Sequence, residues 1–458
     1  MTTAEPPRRE EDPIRRAARE AQEIKVREVG ANKLAALVLG NHLLMQDAVG
    51  SMFMYNGRHW EPITDESLLS LIFSYENEST TTATRRNEAL NYIKAATHYR
   101  ELQWGRVGDW EIATESGVAD VATGAVRAHR ADDYLESVIP WPWQPDARCV
   151  LWRKFLGESF GDDLDKWDAL QEFFGYVALP HAKLKRALLL YGPSDTGKSV
   201  VLHVLRCMVG AEHTASLGVQ HMDDPRRLFA LVGKRLNIIS EISTDAMVAD
   251  GGFKALVSTE ESVLVDPKFK NAFSYRPTCK HAIATNTLPF VSDRTAATFN
   301  RLLLIPFSNT VAASDQDPEL FDKLAAEMPG ILQWAAAGAR RLADRKGRWT
   351  EVAAGAEVMA EFKTDSNPVL GFVAERMVPD PDDATPLAAI VRSFNAWFGG
   401  RSHDARWIGK RLRAAGYTIG PARSNGVVAK CLIGFRLSGN DVSEPPAASE
   451  AWTTGDTP

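Results

Sequence analysis

Eight residues near the middle of the chain have the types and the spacing that bind phosphate. They follow the pattern G-x-x-x-x-G-K-S and are Gly192, Pro193, Ser194, Asp195, Thr196, Gly197, Lys198 and Ser199. In this pattern backbone N–H groups surround phosphate oxygens, and the two glycines let the backbone turn tightly beside them. Lys198 would reach the β- and γ-phosphates of ATP, and Ser199 would hold Mg²⁺. We call residues 192–199 the glycine loop and predict that it binds ATP and Mg²⁺.

The segments on either side of the glycine loop are those that should position it. Residues 187–191 form an apolar run typical of a buried strand. Five apolar residues after the loop share one helical face: Val201, Leu202, Leu205, Met208 and Val209. Gly210 should then end the helix. Strand, loop and helix is the order that brings a phosphate to a helix N-terminus, whereas the alternative is a glycine-rich turn without a ligand.

An acidic residue follows the next apolar strand. Glu241 comes directly after the strand predicted at 236–240, where a carboxylate can orient or deprotonate an attacking water. Ser240 stands where a second acid often precedes this residue, so Mg²⁺ would be held by Ser199 and waters, with Glu241 behind them. Ser199 and Glu241 are therefore the predicted metal-site residues. The alternative is an ordinary exposed glutamate at a strand end.

Two further polar residues flank later strands. Asn286 follows the strand predicted at 279–285, and its amide can hold the lytic water or touch the γ-phosphate. Arg301 precedes the strand predicted at 302–307 and can reach the γ-phosphate of a neighbouring subunit. Arg294 is the competing candidate for that role. The alternatives are a turn-forming asparagine and a surface arginine.

Two basic segments are candidates for contact with DNA. The first is the basic hairpin, which we define as residues 262–275, with Lys268, Phe269 and Lys270 at its tip. Two lysines around an aromatic ring can hold a phosphate backbone and stack on a base. The alternative is a solvated hairpin with one partly buried phenylalanine.

The second basic segment is a helix near the C-terminus. It carries Arg406, Lys410, Arg411 and Arg413. Ile408, Leu412 and Ala415 would face a core and leave the basic side chains outward, and Gly416 would end the helix. Two strands flank the turn that follows, so the segment is a candidate winged-helix unit. The alternative is a small helical domain with a solvated basic face.

Bulk composition narrows the classes of protein. The chain has 458 residues, 45% of them hydrophobic and 24% charged, as in soluble globular proteins of two or three domains. The net charge of −6 gives no general support for nucleic-acid binding, so such a role depends on the local basic segments. No apolar run approaches the ~20 residues that span a bilayer, and no secretory signal is visible. Four widely spaced cysteines favour a reducing cytoplasm.

The pattern of elements predicts an α/β fold with six segments. These are a disordered tail (1–33), an N-terminal α+β domain (34–150), a P-loop ATPase domain (151–312), a helical segment (313–378), a winged-helix-like domain (379–440) and a second disordered tail (441–458). The acidic stretch 380–383, which contains a proline, is interpreted as a linker.

The ordered motifs carry a family likeness. GPSDTGKS, NIISEIS, the basic hairpin, HAIATNTLP and DRTAATFNRLLLIPF together resemble superfamily 3 helicases, and specifically the D5-like primase-helicases of phages, plasmids and large DNA viruses. The likeness extends over roughly residues 40–437. It implies an AAA+-like P-loop core and a hexamer-like ring, in which the glycine loop, Glu241, Asn286 and Arg301 build ATP sites between subunits and the basic hairpin lines the channel.

The likeness has two departures and one omission. Ser240 replaces an acid, which puts the metal geometry in doubt, and Asn300 replaces the first arginine of a frequent Arg-Arg pair. Paired carboxylates on strands, which a primase domain needs, are not evident, because Asp132-Asp133 and Asp162-Asp163 fall in loops or near helix starts. A separate primase or polymerase is therefore a candidate partner.

The sequence is compatible with several functions. The leading prediction is a cytoplasmic replicative DNA helicase of phage, prophage or plasmid type that forms a homo-oligomeric ring and translocates on single-stranded DNA at forks. The second is an ATP-dependent initiator that binds or melts origin DNA without processive unwinding. The third is a DNA-binding scaffold in which nucleotide sets the oligomeric state. A small-molecule kinase would share the glycine loop but leave the basic hairpin unexplained.

Overall fold

The structure, a computed structural model, describes most of the chain. The described residues are 31–76, 82–99, 102–240, 247–248, 250–258, 261–268, 271–286, 290–291, 299–312, 314, 316–365, 368–399, 402–424 and 427–438. The chain divides into two compact units, Met1–Ala356 and Glu357–Pro458. The predicted domain boundaries stay predictions. Among the helices of the described ranges, none is long and apolar enough to cross a membrane.

The first unit begins with short helices and two small antiparallel sheets. The elements are α1 (Ala31–Asn41), β1 (Leu44–Gln46), β2 (Met52–Tyr55), β3 (Trp60–Ile63), α2 (Asp65–Ser74), α3 (Ala83–Ala96), β4 (Glu111–Thr114), β5 (Gly117–Asp120) and β6 (Val126–Arg127). The sheets have the orders β1-β2-β3 and β4-β5-β6. Helices α1 to α3 enclose their own apolar core around Val38, Leu68 and Ile93.

A five-stranded parallel sheet forms the centre of this unit. The elements up to its last strand are α4 (Val150–Phe160), α5 (Leu164–Ala178), β7 (Ala187–Tyr191), α6 (Lys198–Val209), β8 (Thr214–Ala215), β9 (Leu236–Ile239), β10 (Met247–Val248), α7 (Asp250–Ser258), β11 (Val263–Val265), β12 (Phe273–Tyr275), β13 (Lys280–Thr285), β14 (Phe290–Val291) and β15 (Leu302–Pro306). The order in the sheet is β15-β7-β13-β9-β8, and every neighbouring pair is parallel. The coarse prediction of an α/β fold is confirmed.

The first unit continues with α8 (Leu320–Ala326) and α9 (Met328–Asp344). Helices α4, α5 and α9 pack together in the core of this unit. Helix α9 packs along α5, where the buried Glu172 accepts a hydrogen bond of 2.8 Å from Arg341. Glu327, just before α9, accepts hydrogen bonds from the Leu151 and Trp152 amides at 2.9 and 3.0 Å. A carboxylate there satisfies first-turn N–H groups of α4 and so orients that helix.

The second unit is a three-stranded antiparallel sheet packed on helices. Helix α10 (Ala353–Asp365) leads into it, followed by α11 (Pro368–Arg376), β16 (Met377–Pro386), α12 (Leu387–Phe398), α13 (Ala405–Ala414), β17 (Ile419–Ser424) and β18 (Val427–Leu437). The sheet order is β16-β18-β17. Its core is formed by five fully buried side chains, which are Phe372, Ile390, Phe394, Ile408 and Leu412.

Two details of this region correct the sequence predictions, and two further details concern the predicted tails. The predicted linker 380–383 lies within β16, because Pro379 and Ala384 on either side both pair with β18 while the acidic residues between them bulge out of the ladder. Ala415 is exposed, since the helix ends before it and Gly416 follows with a φ of 88°. Helix α1 begins inside the predicted tail 1–33, at Ala31. The tail 441–458 and residues 1–30 lie outside the described residues.

Candidate nucleotide site and nucleic-acid surfaces

The glycine loop lies between β7 and α6, at the carboxyl edge of the parallel sheet. Open parallel sheets bind ligands at this edge. Gly192 has a φ of 150°, and a Cβ added there would lie 1.9 Å from the Phe307 carbonyl oxygen. Gly197 has a φ of 93°, and its Cβ would lie 2.8 Å from the Phe155 ring. Both positions require glycine, because the loop is enclosed by the chain after β15 and by α4.

The middle of the loop is held by one backbone contact. Asp195 adopts a φ of 58°, which is uncommon for a residue with a side chain. Its carbonyl accepts a hydrogen bond of 2.9 Å from the Val311 amide. The segment that follows β15 therefore lies close against residue 192 and is hydrogen-bonded to residue 195. The sequence alone does not single out Phe155, Phe307 or Val311, since only the fold brings them to the loop.

The Lys198 amine is enclosed by the loop. Its Nζ donates to the Gly192 carbonyl at 2.7 Å, to the Pro193 carbonyl, and to Thr196 Oγ1 at 3.3 Å. Burial lowers the pKa of Lys198, an effect that the Asp195 carboxylate opposes. An ammonium group with only carbonyl and hydroxyl partners is well suited to an anionic ligand, which would restore the charge balance of the site.

Helix α6 begins with amides that no side chain caps. Its N-cap is Gly197, which has no side-chain hydrogen bond to offer. Ser199 lies exposed in the first turn. The predicted apolar face of the helix is confirmed, since Val201, Leu205 and Val209 are all buried. The helix N-terminus and the exposed Ser199 thus lie at the place where phosphate and Mg²⁺ are predicted.

Asn286 reaches the glycine loop from the neighbouring strand. Thr285, the last residue of β13, pairs with Tyr191, the last residue of β7. The strand ends therefore coincide, and Asn286 Nδ2 donates a hydrogen bond of 3.1 Å to Ser194 Oγ. Both residues are exposed. The structure brings these two predicted residues together.

Arg301 lies at the amino ends of the parallel strands, whereas the glycine loop lies at their carboxyl ends. Leu302, the first residue of β15, pairs with Ala187, the first residue of β7. Five paired positions of parallel strand, ending at Pro306 and Tyr191, separate the Arg301 backbone from the glycine loop. At ~3.3 Å per residue this backbone separation is about 15 Å, so the geometry favours action on another subunit over action on its own loop.

Other predicted site residues lie outside the described residues. These are Glu241, Phe269, Lys270 and Arg294. Ser240 is described and is exposed just after β9, whose end is at the same edge as Asn286. Within the described ranges, no group of three or more His, Cys, Asp or Glu residues converges as a metal site. The roles of Glu241 and Arg294 stay predictions.

The basic hairpin has the predicted strands. Strands β11 and β12 pair antiparallel, with Val265 opposite Phe273. Val265 and Tyr275 are buried and anchor the hairpin, while Lys268 is exposed near its tip. The Asp266 amide donates to the Pro225 carbonyl at 3.0 Å, which fixes the start of the tip. The described part of the hairpin thus presents a cation to solvent.

The basic helix of the second unit presents three of its four cations. Arg406, Lys410 and Arg413 on α13 are exposed. Arg411 is different, because its guanidinium carbon lies 3.4 Å from the Trp407 ring centroid. The prediction that all four side chains point outward is therefore wrong for Arg411, whose planar cation gains more from stacking on the ring than from full hydration.

Comparison with solved structures supports this architecture. Two structures of the C-terminal region of NrS-1 cover 89% of this chain and 100% of their own, with TM-scores of 0.53 and 0.50 and identities of 14% and 13%. At these identities the likeness concerns the fold alone. Such a likeness over most of the chain shows that the mixed α/β architecture is shared.

Comparison of sequences gives two partial family matches and two partial relatives. A family described as "D5 N terminal like" matches residues 31–161, and a family of unknown function (DUF5906) matches residues 190–301. "Putative helicase 184R" of Invertebrate iridescent virus 6 is 23% identical over 232 residues. The chain fits a D5-like family of superfamily 3 helicases. The predicted resemblance is confirmed.

The matches to individual relatives have a limited extent. The aligned region is 46% of this chain but only 23% of the viral protein. The uncharacterized mitochondrial protein ymf21 of Marchantia polymorpha is 27% identical over 128 residues, which are 25% of this chain and 70% of that protein. The homology points to a family of replication helicases and primases.

Proposed function

We propose that this chain is an ATP-dependent replicative DNA helicase that assembles as a hexamer-like ring and translocates on single-stranded DNA. The contact between Asn286 and Ser194 carries the proposal. It brings a side-chain amide that can position the lytic water next to the glycine loop, across adjacent strands. The order of the five strands supports an AAA+-like core, since β7 lies between the strand that ends just before Asn286 and the strand that begins after Arg301.

ATP would bind with its phosphates on the glycine loop. Three features of the loop fit a polyphosphate. Two positions require glycine, the Lys198 amine is enclosed by the loop, and the first amides of α6 have no side-chain cap. Ser199 would hold Mg²⁺, and Glu241 would stand behind it. Bound Mg²⁺ supplies charge compensation for the phosphate oxygens.

Hydrolysis would depend on residues at both ends of the parallel strands. Asn286 positions water or the γ-phosphate at the carboxyl edge, and Glu241 activates the water. Arg301 at the amino edge stabilises transition-state charge in the site of an adjacent subunit. The position of Arg301 far from its own loop supports a shared site, and a shared site requires a homo-oligomer.

DNA would be held by the basic hairpin and, in the second unit, by α13. The hairpin anchors Lys268 on buried Val265 and Tyr275, so its tip can bear on a strand. In the second unit, helix, strand, two helices and two strands follow one another in a winged-helix-like order, and α13 exposes three cations. Forked DNA is the proposed substrate and a separate primase or polymerase the proposed partner.

A second candidate function is an initiator that melts origin DNA without processive unwinding. The basic face of α13 favours it, because exposed cations on the third helix of such a unit are suited to duplex DNA. The two functions share ATP hydrolysis. They differ in whether one strand is displaced over long distances.

A strand-displacement assay distinguishes the two functions. Forked duplexes of increasing length, each with one labelled strand, are mixed with the protein and ATP, and Lys198→Ala serves as the inactive control. We expect displacement of long duplexes only with ATP and only with the unaltered chain. ATP turnover accompanied by local melting at a fixed site, with no displacement of longer duplexes, would instead favour the initiator.

A further inference from the structure

Three consecutive carbonyls, those of residues 300 to 302, accept hydrogen bonds from Arg186 and from Ala187, the first residue of β7. The Ala187 amide donates to the Arg301 carbonyl at 2.8 Å. The Arg186 guanidinium donates through Nη1 to the Asn300 carbonyl and, at 3.4 Å, to the Leu302 carbonyl. The backbone on both sides of Arg301 is therefore fixed by a single side chain.

Arg186 depends on these hydrogen bonds because its side chain is half-buried. Burial lowers the pKa of Arg186, an effect that Glu351 opposes. A partly buried cation is retained only where hydrogen-bond acceptors compensate for the lost water. Here two of the acceptors are the carbonyls that flank Arg301. The planar guanidinium can reach both of them, which the single amine of a lysine does less well.

Fixing both flanking peptides constrains the direction of the Arg301 side chain. The orientation of a Cα–Cβ bond follows from the positions of the peptide planes before and after it. Arg301 lies in the turn just before β15, where no complete strand ladder would otherwise define those planes. Arg186 supplies the missing constraint on the side of residue 300.

We propose that Arg186 is a positioning residue for Arg301, which it aims at the ATP site of the adjacent subunit. This inference rests on the proposed function, in which Arg301 acts between subunits. Arg186 itself lies on the amino edge of the sheet, away from the glycine loop of its own subunit. Its loss therefore acts on the neighbour's hydrolysis and leaves nucleotide binding in its own loop intact.

The test begins with Arg186→Gln, which removes the charge and keeps a polar side chain. We expect kcat for ATP to fall about 10- to 100-fold, because small displacements of a catalytic group cost on that order. KM for ATP should stay within about twofold, since binding and catalysis reside in different subunits. Lys183→Gln is the matched control, because this exposed cation three residues earlier pairs with Asp109 and should leave kcat unchanged.

Mixing experiments separate positioning from a general structural effect. Arg186→Gln subunits keep an intact glycine loop, and Lys198→Ala subunits keep an intact Arg301. Their mixture should regain hydrolysis at interfaces that combine the two. A mixture of Arg186→Gln with Arg301→Ala should regain nothing, because neither subunit supplies a correctly aimed arginine.

The outcomes distinguish this inference from the proposed function. If Arg301→Ala and Lys198→Ala fail to complement although mixed oligomers form, the shared site is wrong and the inference falls with it. If that pair does complement, normal turnover by Arg186→Gln, or recovery in its mixture with Arg301→Ala, overturns the inference alone.

Folding is checked by thermal unfolding and nucleotide binding. Should Arg186→Gln not fold, Arg186→Lys keeps the charge and is tested in the same mixtures, with the same pattern of complementation expected. Failure of both variants to fold would make Arg186 a residue of general stability and would overturn the positioning role.

Discussion

The side-chain amide of Asn286 donates a hydrogen bond of 3.1 Å to the hydroxyl of Ser194, and this contact joins the ends of two parallel strands. Ser194 lies in the glycine loop between Pro193 and Asp195, whose carbonyls are turned toward Lys198 and Val311. The Ser194 hydroxyl is thus the point at which the loop meets Asn286. A bound γ-phosphate would offer Asn286 a stronger, charged acceptor at the same edge of the sheet.

The first prediction concerns this pair. Asn286→Ala should lower kcat for ATP on the order of 10²-fold, the usual effect of removing one preorganised donor, while ATP binding persists. Ser194→Ala should have a smaller effect. In the double variant the effect of Asn286→Ala should shrink, because contacting residues are energetically coupled. Steady-state kinetics of the four proteins measure this, and strictly additive effects would show that the contact plays no part in turnover.

The second prediction concerns the basic hairpin. Each lysine that contacts a phosphate adds about 0.7 to the slope of log K against log salt for single strands, so Lys268→Ala should flatten that slope by about this amount. With Lys270→Ala as well, the reduction should approach twice that value. Basal ATPase should persist while its stimulation by DNA falls. Fluorescence anisotropy across a salt series gives the slopes.

Lys154→Ala is the control for the hairpin. This exposed residue on α4 forms a surface ion pair with Glu158. The Lys154→Ala substitution removes one positive charge, as Lys268→Ala does, but at a place where no DNA contact is proposed. An equal change of slope in the control, or no change in the hairpin variants, would assign the hairpin to structure.

The third prediction separates the cations of α13. Replacing Arg406, Lys410 and Arg413 with Ala should weaken duplex binding and lower its salt slope by up to about 3, at about 0.9 for each phosphate contact. Arg411→Ala should act mainly on folding, with a loss of about 1 kcal/mol from its stacking on Trp407. Anisotropy and thermal unfolding measure the two effects. A stability loss in the triple variant with unchanged binding would leave α13 as a solvated structural helix.

The limits of prediction from sequence follow from the range of the interactions. Residues 192–199, their flanking strand and their helix are recognisable because spacing along the chain determines their geometry. The strand order is not, and this order brings Asn286 to Ser194, while the parallel direction of β15 places Arg301 at the amino ends of the strands. Arg411 shows a similar limit, since helical periodicity predicts its face while the position of the Trp407 ring decides its packing.

The acidic stretch 380–383 shows another limit. Its composition is that of a linker, but composition does not reveal that Pro379 and Ala384 pair with a strand some 50 residues later. A bulge lets polar residues leave the ladder without ending the strand. Local sequence therefore indicates the interruption correctly and misses the sheet around it.

The fourth prediction concerns pH and a half-buried carboxyl group. Burial raises the pKa of Glu136 to about 7, although the charge on Arg235 opposes the shift. Between about pH 4.5 and pH 7 the unfolded chain releases this proton before the folded chain does, so the free energy of unfolding should fall as pH rises through that window. Glu136→Gln should remove this dependence and stabilise the protein above pH 7 by on the order of 1 to 2 kcal/mol, because residual exposure reduces the full effect.

Chemical unfolding at several pH values tests the fourth prediction. Glu88→Gln is the control, because it makes the same substitution at an exposed position of α3. If Glu136→Gln retains the slope of the unaltered protein between about pH 4.5 and pH 7, then Glu136 is not the titrating group.

ATP turnover with and without single-stranded DNA tests the central claim most directly. We predict steady hydrolysis by the unaltered chain, an increase when single-stranded DNA is added, and loss of at least about 10²-fold in Lys198→Ala, because the amine enclosed by the glycine loop is the charge that meets the phosphates. Lys154→Ala should hydrolyse ATP normally. Equal turnover in Lys198→Ala and the unaltered chain, or no turnover by the unaltered chain even with DNA and Mg²⁺, would contradict the account.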